Sequence, residues 1–365
     1  MSFNDGAYWQ SLQLNLPVTP IHDMVVKEDD LVVATHGRSF WILDDLTPLH
    51  QLDEKVAAAS SFLFRPRDSY RMGGGSFPIP NAGKNPASGT VIYYYFKEKP
   101  KQEVVLEIMD SNGSRIKTFS NQAGPEVEPE DEHDERFGGE EVRRLPAEAG
   151  LNRFTWNMRY PDAERVPGAV LWAGSISGPI AVPGIYQVKL TVGEESHIRE
   201  WEWKKDPRVD ASPEELREQF DFLIEVRDKL SEVNRTVNHL RLVRSKIDRV
   251  SDEIKGRPEA AAVLEAAKRV TAELTAVEDV LIQGKSKSSQ DPLNYPVKLD
   301  DKIAAVAALA AGADARPTDQ SRELFKELAD KAEAEIAKLK TIMESEVPNL
   351  NALLKDAGIP HIIVE

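Results

Sequence analysis

The sequence predicts a multidomain β-plus-α protein, β-rich through residue 208 and an antiparallel helical bundle from 209 to the end. Three observations carry that expectation. Short β-branched and aromatic runs, separated by Gly, Asn-Gly and acidic turns, fill the first part. Apolar residues then recur at spacings of three and four. The switch falls at Asp206-Pro207-Arg208, read as a hinge. The expected divisions are 1–50, a small strand region; 51–208, an immunoglobulin-like sandwich; and 209–365, the bundle.

In residues 1–50, Ile21–Val26 and Leu31–Thr35 are strand runs separated by Lys27-Glu28-Asp29-Asp30, and Phe40–Leu43 follows Gly37 before Asp44-Asp45. Roughly four strands of this size cannot bury both faces of a sheet, so the region needs neighbours. From residue 60 the strands lengthen: Thr90–Phe96, Val104–Met109 and Arg115–Phe119 around Asn112-Gly113, Asn152–Met158, Gly184–Val192 and Ile198–Trp203. About seven short antiparallel strands predict an immunoglobulin-like sandwich. It is interrupted by a Gly/Pro-rich loop, Met72–Ser88, and an acidic loop, Glu126–Glu141.

The helical part opens with Ser212 as N-cap, Pro213 in the first turn and Glu215 completing a capping box. Leu223, Val226, Leu230, Val233, Val237, Leu240, Val243, Ile247, Val250 and Ile254 form one seam, stopped at Gly256-Arg257-Pro258. A second helix carries Val263, Leu264, Ala267, Val270, Leu274, Val277 and Leu281. A short Ala-rich helix covers 299–311. The last helix starts near Thr318 and runs through Leu324, Leu328, Ile336, Leu339 and Ile342 to a break at Pro348.

Composition removes several function classes. A chain of 365 residues with net charge −15 lacks the basic surface that phosphate backbones require, so no nucleic-acid partner is expected. Its apolar runs, such as Ile303–Ala311, are too short for a membrane span. The absence of Cys excludes disulfides and thiolate metal sites. His22, His50, His197, His239 and His361 have no metal-ligand spacing, and no Gly-rich phosphate loop is present, so neither metal nor cofactor is expected. Glu126–Glu141, with His133, lacks the spacing of a calcium loop and reads as a solvated acidic segment.

Ser2-Phe3-Asn4-Asp5-Gly6-Ala7-Tyr8-Trp9 resembles the Asp-box turn, Ser-x-Asp-x-Gly-x-x-Trp, of BNR-repeat propellers, with Asn4 in place of Asp and Tyr8 in place of Thr. Ser2, Asn4, Asp5, Gly6 and Trp9 would there have a structural role, the polar side chains holding a hairpin turn and the Trp packing between sheets. Leu16–Pro20 with Thr35-His36-Gly37-Arg38-Ser39-Phe40-Trp41-Ile42-Leu43-Asp44-Asp45 resembles the last blade of bacterial sortilin-type propeller proteins, a family commonly labelled glycosyl hydrolase-like. The resemblance continues through Leu145-Pro146, Gly150–Trp156, Pro183–Tyr186, Lys205–Arg208 and Asp291–Pro296, nearly the whole chain. It implies that residues 1–50 are a propeller-blade remnant completed by blades upstream. It also implies an extracellular or periplasmic parent. Met-Ser-Phe-Asn-Asp-Gly is not a signal peptide, so an export signal is expected upstream.

Candidate ligand residues follow. His36 and Arg38, with Asp44 and Asp45, would hold an anionic or sugar ligand at a strand end. The competing reading makes Gly37 a bulge and pairs Arg38 with Asp44 or Asp45. Trp172, with Trp201 and Trp203, would form a sugar-stacking surface; the alternative is that at least two of these are core. No catalytic residue stands out: a glycosidase needs two facing carboxylates, whereas Asp44-Asp45 and Glu140-Glu141 are neighbours that a strand would direct to opposite faces. The expectation is a non-catalytic accessory region that binds a partner or glycan. The rivals are part of a hydrolase whose site lies mostly in other blades, and a helical protein-interaction module.

Overall fold

The computed structural model describes residues 1–72, 83, 85–122, 144–288 and 290–359. The fold is β-plus-α and divides into two compact units. The first holds Met1–Ala123, Arg144–Asn157 and Pro183–Asp206. In the second, residues 158–182 join the chain from Pro207 onward. Residues 158–182, expected within the 51–208 sandwich, group with the helices.

The first unit begins with three strands, fewer than the four expected: β1 (Ile21–Lys27), β2 (Asp30–Thr35) and β3 (Phe40–Leu43) form an antiparallel sheet in that order. Two short helices, α1 (Thr47–His50) and α2 (Glu54–Ala58), lead to β4 (Ser61–Leu63) and β5 (Ser69–Arg71). Then come β6 (Thr90–Phe96), β7 (Val104–Asp110), β8 (Arg115–Ser120), β9 (Gly150–Trp156), β10 (Gly184–Val192) and β11 (Glu195–Lys205). One sheet has the order β5-β11-β10-β7-β8 and the other β4-β6-β9, with β5 parallel to β11. Period-2 patterning explains the core: Ile92, Tyr94 and Phe96 are buried and Val91, Tyr93 and Tyr95 only partly so. Trp156 of β9 meets Tyr186 of β10 and Trp201 of β11, and the Trp201 indole N–H donates to Thr90.

The second unit is built on α3 (Pro213–Ile254), whose Ser212–Glu215 capping box is complete in both directions. Gly256, at φ +91°, follows its C-terminus. Then follow α4 (Ala261–Leu281), α5 (Leu299–Ala310) and α6 (Asp319–Thr341, N-capped by Thr318). Pro348 does not break the last helix: a π-helical turn, Ile342–Glu346, passes into α7 (Val347–Asp356), with the proline in its first turn, where no backbone donor is needed. The α3 seam is buried as the spacing predicts, except that Val250 is only partly covered. In α6 the buried stripe is Phe325, Leu328, Ala332 and Leu339; Leu324 is exposed and Ile336 partly covered.

Residues 158–182 attach to these helices through their backbone. Ser231 accepts from the Glu164 N–H, Asn234 and Asn238 donate to the carbonyls of Glu164 and Arg165, and Arg241 donates to that of Pro167. The Asp301 carboxylate accepts from the Trp172 and Ala173 N–H groups. Ala163 and Val166 enter the helical core. At Gly174 a Cβ would lie 2.3 Å from the backbone of Ala304, so only glycine lets the segment approach α5 this closely.

Candidate functional site

The N-terminal sheet holds most of the residues singled out from the sequence. In the first turn the Ser2 hydroxyl accepts from the Gly6 N–H at 2.9 Å, and the Asn4 Oδ1 accepts from the Ser2 hydroxyl and the Tyr8 N–H. Asp5 and Gly6 both have positive φ. The polar residues therefore hold a tight turn, but Trp9 does not pack between sheets: it is 69% exposed, its ring lying by Gly6.

His36, Gly37 and Arg38 lie in the loop between β2 and β3, closed by the Thr35 N–H and hydroxyl donating to the Ser39 carbonyl. Gly37, at φ +69°, is a turn residue and not a bulge. Asp44 and Asp45 follow the other end of β3. Its four residues separate the two pairs by about 13 Å at ~3.3 Å per residue. The four side chains therefore build no common pocket. The His36 ring stacks on His22, with centroids 4.9 Å apart. Among the described residues Arg38 forms no ion pair; its carbonyl accepts from the Trp41 indole N–H. The expected pairing of Arg38 with Asp44 or Asp45 is corrected.

Another arginine meets the acids of the β1–β2 turn. Arg67, between β4 and β5, bonds Asp30 at 2.6 Å and lies 3.4 Å from Asp29 and 3.6 Å from Glu28. Burial opposes its charge, but the Asp30 hydrogen bond together with the Asp30, Asp29 and Asp45 charges raises its pKa. Asp45 is tied up locally, accepting from the Thr47 N–H and hydroxyl, while its own N–H donates to Asp30. Partial desolvation and the Asp30 charge hold the Asp44 carboxyl above the usual range, with Arg153 and Arg67 pulling it back. Charge is thus distributed to fasten the β1–β2 turn and the end of β3 onto the β4–β5 connection.

A Ser–His–Glu grouping absent from the sequence reading lies where β4 meets β11. Ser61 Oγ is 2.9 Å and Glu195 Oε1 3.3 Å from the same His197 nitrogen, Nε2, while Ser60 donates to Glu195. A nucleophilic triad requires serine and carboxylate on opposite ring nitrogens. Ser61 is also buried. Burial opposes the Glu195 charge, but hydrogen bonds from Ser60, Ser61 and His197 prevail and lower its pKa. The group is a strand-end clasp.

Trp201 and Trp203 are buried in the first unit, whereas Trp172, 55% exposed, belongs to the second. Trp201 and Trp203, being buried, offer no stacking surface. Glu126–Glu141 lies outside the described residues, as do most of the Gly/Pro-rich loop and His361. Among the described residues no group of three His, Asp or Glu could hold a metal ion, and no helix is long and apolar enough to cross a membrane.

What remains open is the sheet itself. Cross-strand partners share a face, so Val25, Val32 and Ile42 form one row and Ala34 and Phe40 the next. On that face Val25, Ile42 and Phe40 are 57%, 58% and 73% exposed, while Val33, on the opposite face, is buried. No protein-family model and no curated protein matches the chain. A solved chain described as "pT26-6p" is 11% identical, covering 74% of this chain and 46% of its own length. Its TM-score of 0.14 carries no argument.

Proposed function

We propose that this chain is a non-catalytic accessory region of a secreted sortilin-type propeller protein, and that its N-terminal sheet is the docking element. The observation that carries this reading is the open apolar face of Val25, Phe40 and Ile42 on a three-strand antiparallel sheet fastened through Arg67. Water-exposed aromatic and β-branched residues grouped on one face cost solubility and suit burial against another sheet. The turn at Ser2–Tyr8, and the resemblance of Thr35–Asp45 to a terminal blade, support a neighbouring propeller blade as that cover. The eight strands in two sheets that follow support an immunoglobulin-like module, and Trp172 offers an exposed ring for a glycan.

The hydrolase alternative is less well supported, because the acids near β3 are engaged by Arg67, Thr47 and backbone groups. Purified chain assayed against aryl-glycosides and sialosides should give background rates. Turnover abolished by Asp44→Asn would replace the accessory reading with the hydrolase one. An interaction module in the helices would instead show as partner binding retained by residues 209–365 and unaffected by Phe40→Asp.

A further inference from the structure

We infer that the β1 edge is a self-association edge, which pairs antiparallel with β1 of a second copy about a two-fold axis at Val25. This concerns the edge of the sheet, not its open face, and stands whether or not another sheet covers that face.

All seven residues of β1 are exposed, and among the described residues no strand lies beside its outer edge. The ladder to β2 shows which groups face outward. Lys27 and Asp30 flank the Glu28-Asp29 turn and form its closing hydrogen-bonded pair; Val25↔Val32 and Asp23↔Ala34 are the next such pairs. The N–H and C=O groups of Met24 and Val26 therefore point to the open edge. An antiparallel copy must bond through these same residues.

Charge selects the register. With Met24 opposite Val26 of the second copy, Val25 meets Val25, and each Asp23 lies across from the other copy's Lys27 in close, non-hydrogen-bonded positions. Moving two residues one way sets Asp23 opposite Val25; moving two the other way sets it opposite Asp29. Only the central register joins both opposite charges. Asp23, Val25 and Lys27 lie on the face of Val32, Ile42 and Phe40, so pairing joins two apolar rows into one strip.

The free edge is guarded by the same residue. The Met24 N–H now donates to its neighbour's carboxylate, Asp23 Oδ1, at 2.8 Å. Pairing exchanges that acceptor for the second copy's Val26 carbonyl and releases Asp23 for Lys27, whose present partner is the exposed Glu28 at 3.6 Å. A guarded edge with a small contact strip fits a reversible dimer better than a permanent one.

Sedimentation velocity of the full chain tests this. The parent should shift from monomer to dimer as concentration rises through the micromolar range. Asp23→Lys and Lys27→Asp, each placing like charges across both positions, should each weaken the dimer about tenfold or more. Mixed together they should recover it, since every position then pairs Lys with Asp. Val26→Pro removes an outward donor and no β2 bond, and should also give monomer. A parent that stays monomeric to about 100 µM overturns the inference. So does a dimer that both charge variants and Val26→Pro leave intact, or a mixture of the charge variants that stays monomeric.

Discussion

The β1–β3 sheet and the α3 helix are both regular apolar elements, yet one leaves its side chains in water and the other buries them. Along α3 the seam residues Val233, Val237, Leu240 and Val243 are 0% exposed, enclosed by α4, α5, α6 and residues 158–182. Along β1 every residue is exposed. The difference is geometric. A helix gathers its apolar positions into one stripe, which neighbouring helices can cover from within the same chain. A sheet presents two faces and two edges, and here the cover reaches Val33 but not Met24 or Val26, which share its face. Exposed apolar area on the sheet is therefore available for association, whereas the helical seam is already satisfied.

The comparison breaks most visibly if a charge is tolerated in the seam. Val233→Asp puts an unpaired carboxylate in the helical core and should cost at least about 3 kcal/mol in a urea titration followed at 222 nm. Phe40→Asp, in the open sheet, should change stability by less than about 0.5 kcal/mol. Equal costs would remove the distinction between the two regions.

Glu278 gives the next largest effect. It is buried and bonds both Arg241, at 2.6 Å, and Arg244. Glu278→Ala leaves two partly exposed guanidinium groups unpaired and should cost about 2 kcal/mol, less than in a fully buried pair.

Asp300, at the start of α5, sharpens the account through pH. Burial, then the adjacent Asp301 charge, pushes its carboxyl up to about 7 against backbone hydrogen bonds and the Arg241 charge, and its Oδ1 has no partner. The folded chain thus keeps a proton that the unfolded chain releases near the ordinary value of 3.8. Its contribution is fully present below that value, is lost as pH rises through about 7, and is constant above. Asp300→Asn should therefore stabilise the helical unit most at pH 8, less at pH 5, and have little effect below about pH 4. A pH-independent difference between variant and parent would contradict this. A smaller loss belongs to the α3 cap: Ser212→Ala loses one side of the capping box and should cost about 1 kcal/mol by the same titration.

Much of the architecture was legible because local chemistry dictates it. The ends of β6 and β10, the Ser212 cap and the α3 seam follow from alternation, capping and spacing, which act within one element. The clasp of residues 158–182 was not legible, because it depends on backbone groups meeting side chains far away in sequence. Its one signal was the polar row Asn234, Asn238 and Arg241 beside the apolar seam of α3. The candidate ligand residues are not brought together, for a related reason. His36, Arg38, Asp44 and Asp45 are close in sequence but lie beyond opposite ends of β3; Asp45 is held by Thr47, and Arg67, from another connection, pairs with Asp30. Pro348 misled because a proline that ends one helix also suits the first turn of the next.

Hydrogen–deuterium exchange of the full chain at low and high concentration tests most directly whether the sheet is an association surface. Residues 213–254 provide an internal reference, with slow exchange independent of concentration. The account predicts rapid exchange in residues 21–27 when dilute, slowing as concentration rises. Protection of residues 21–27 that already equals that of α3 in dilute solution, and does not change on concentration, would contradict it.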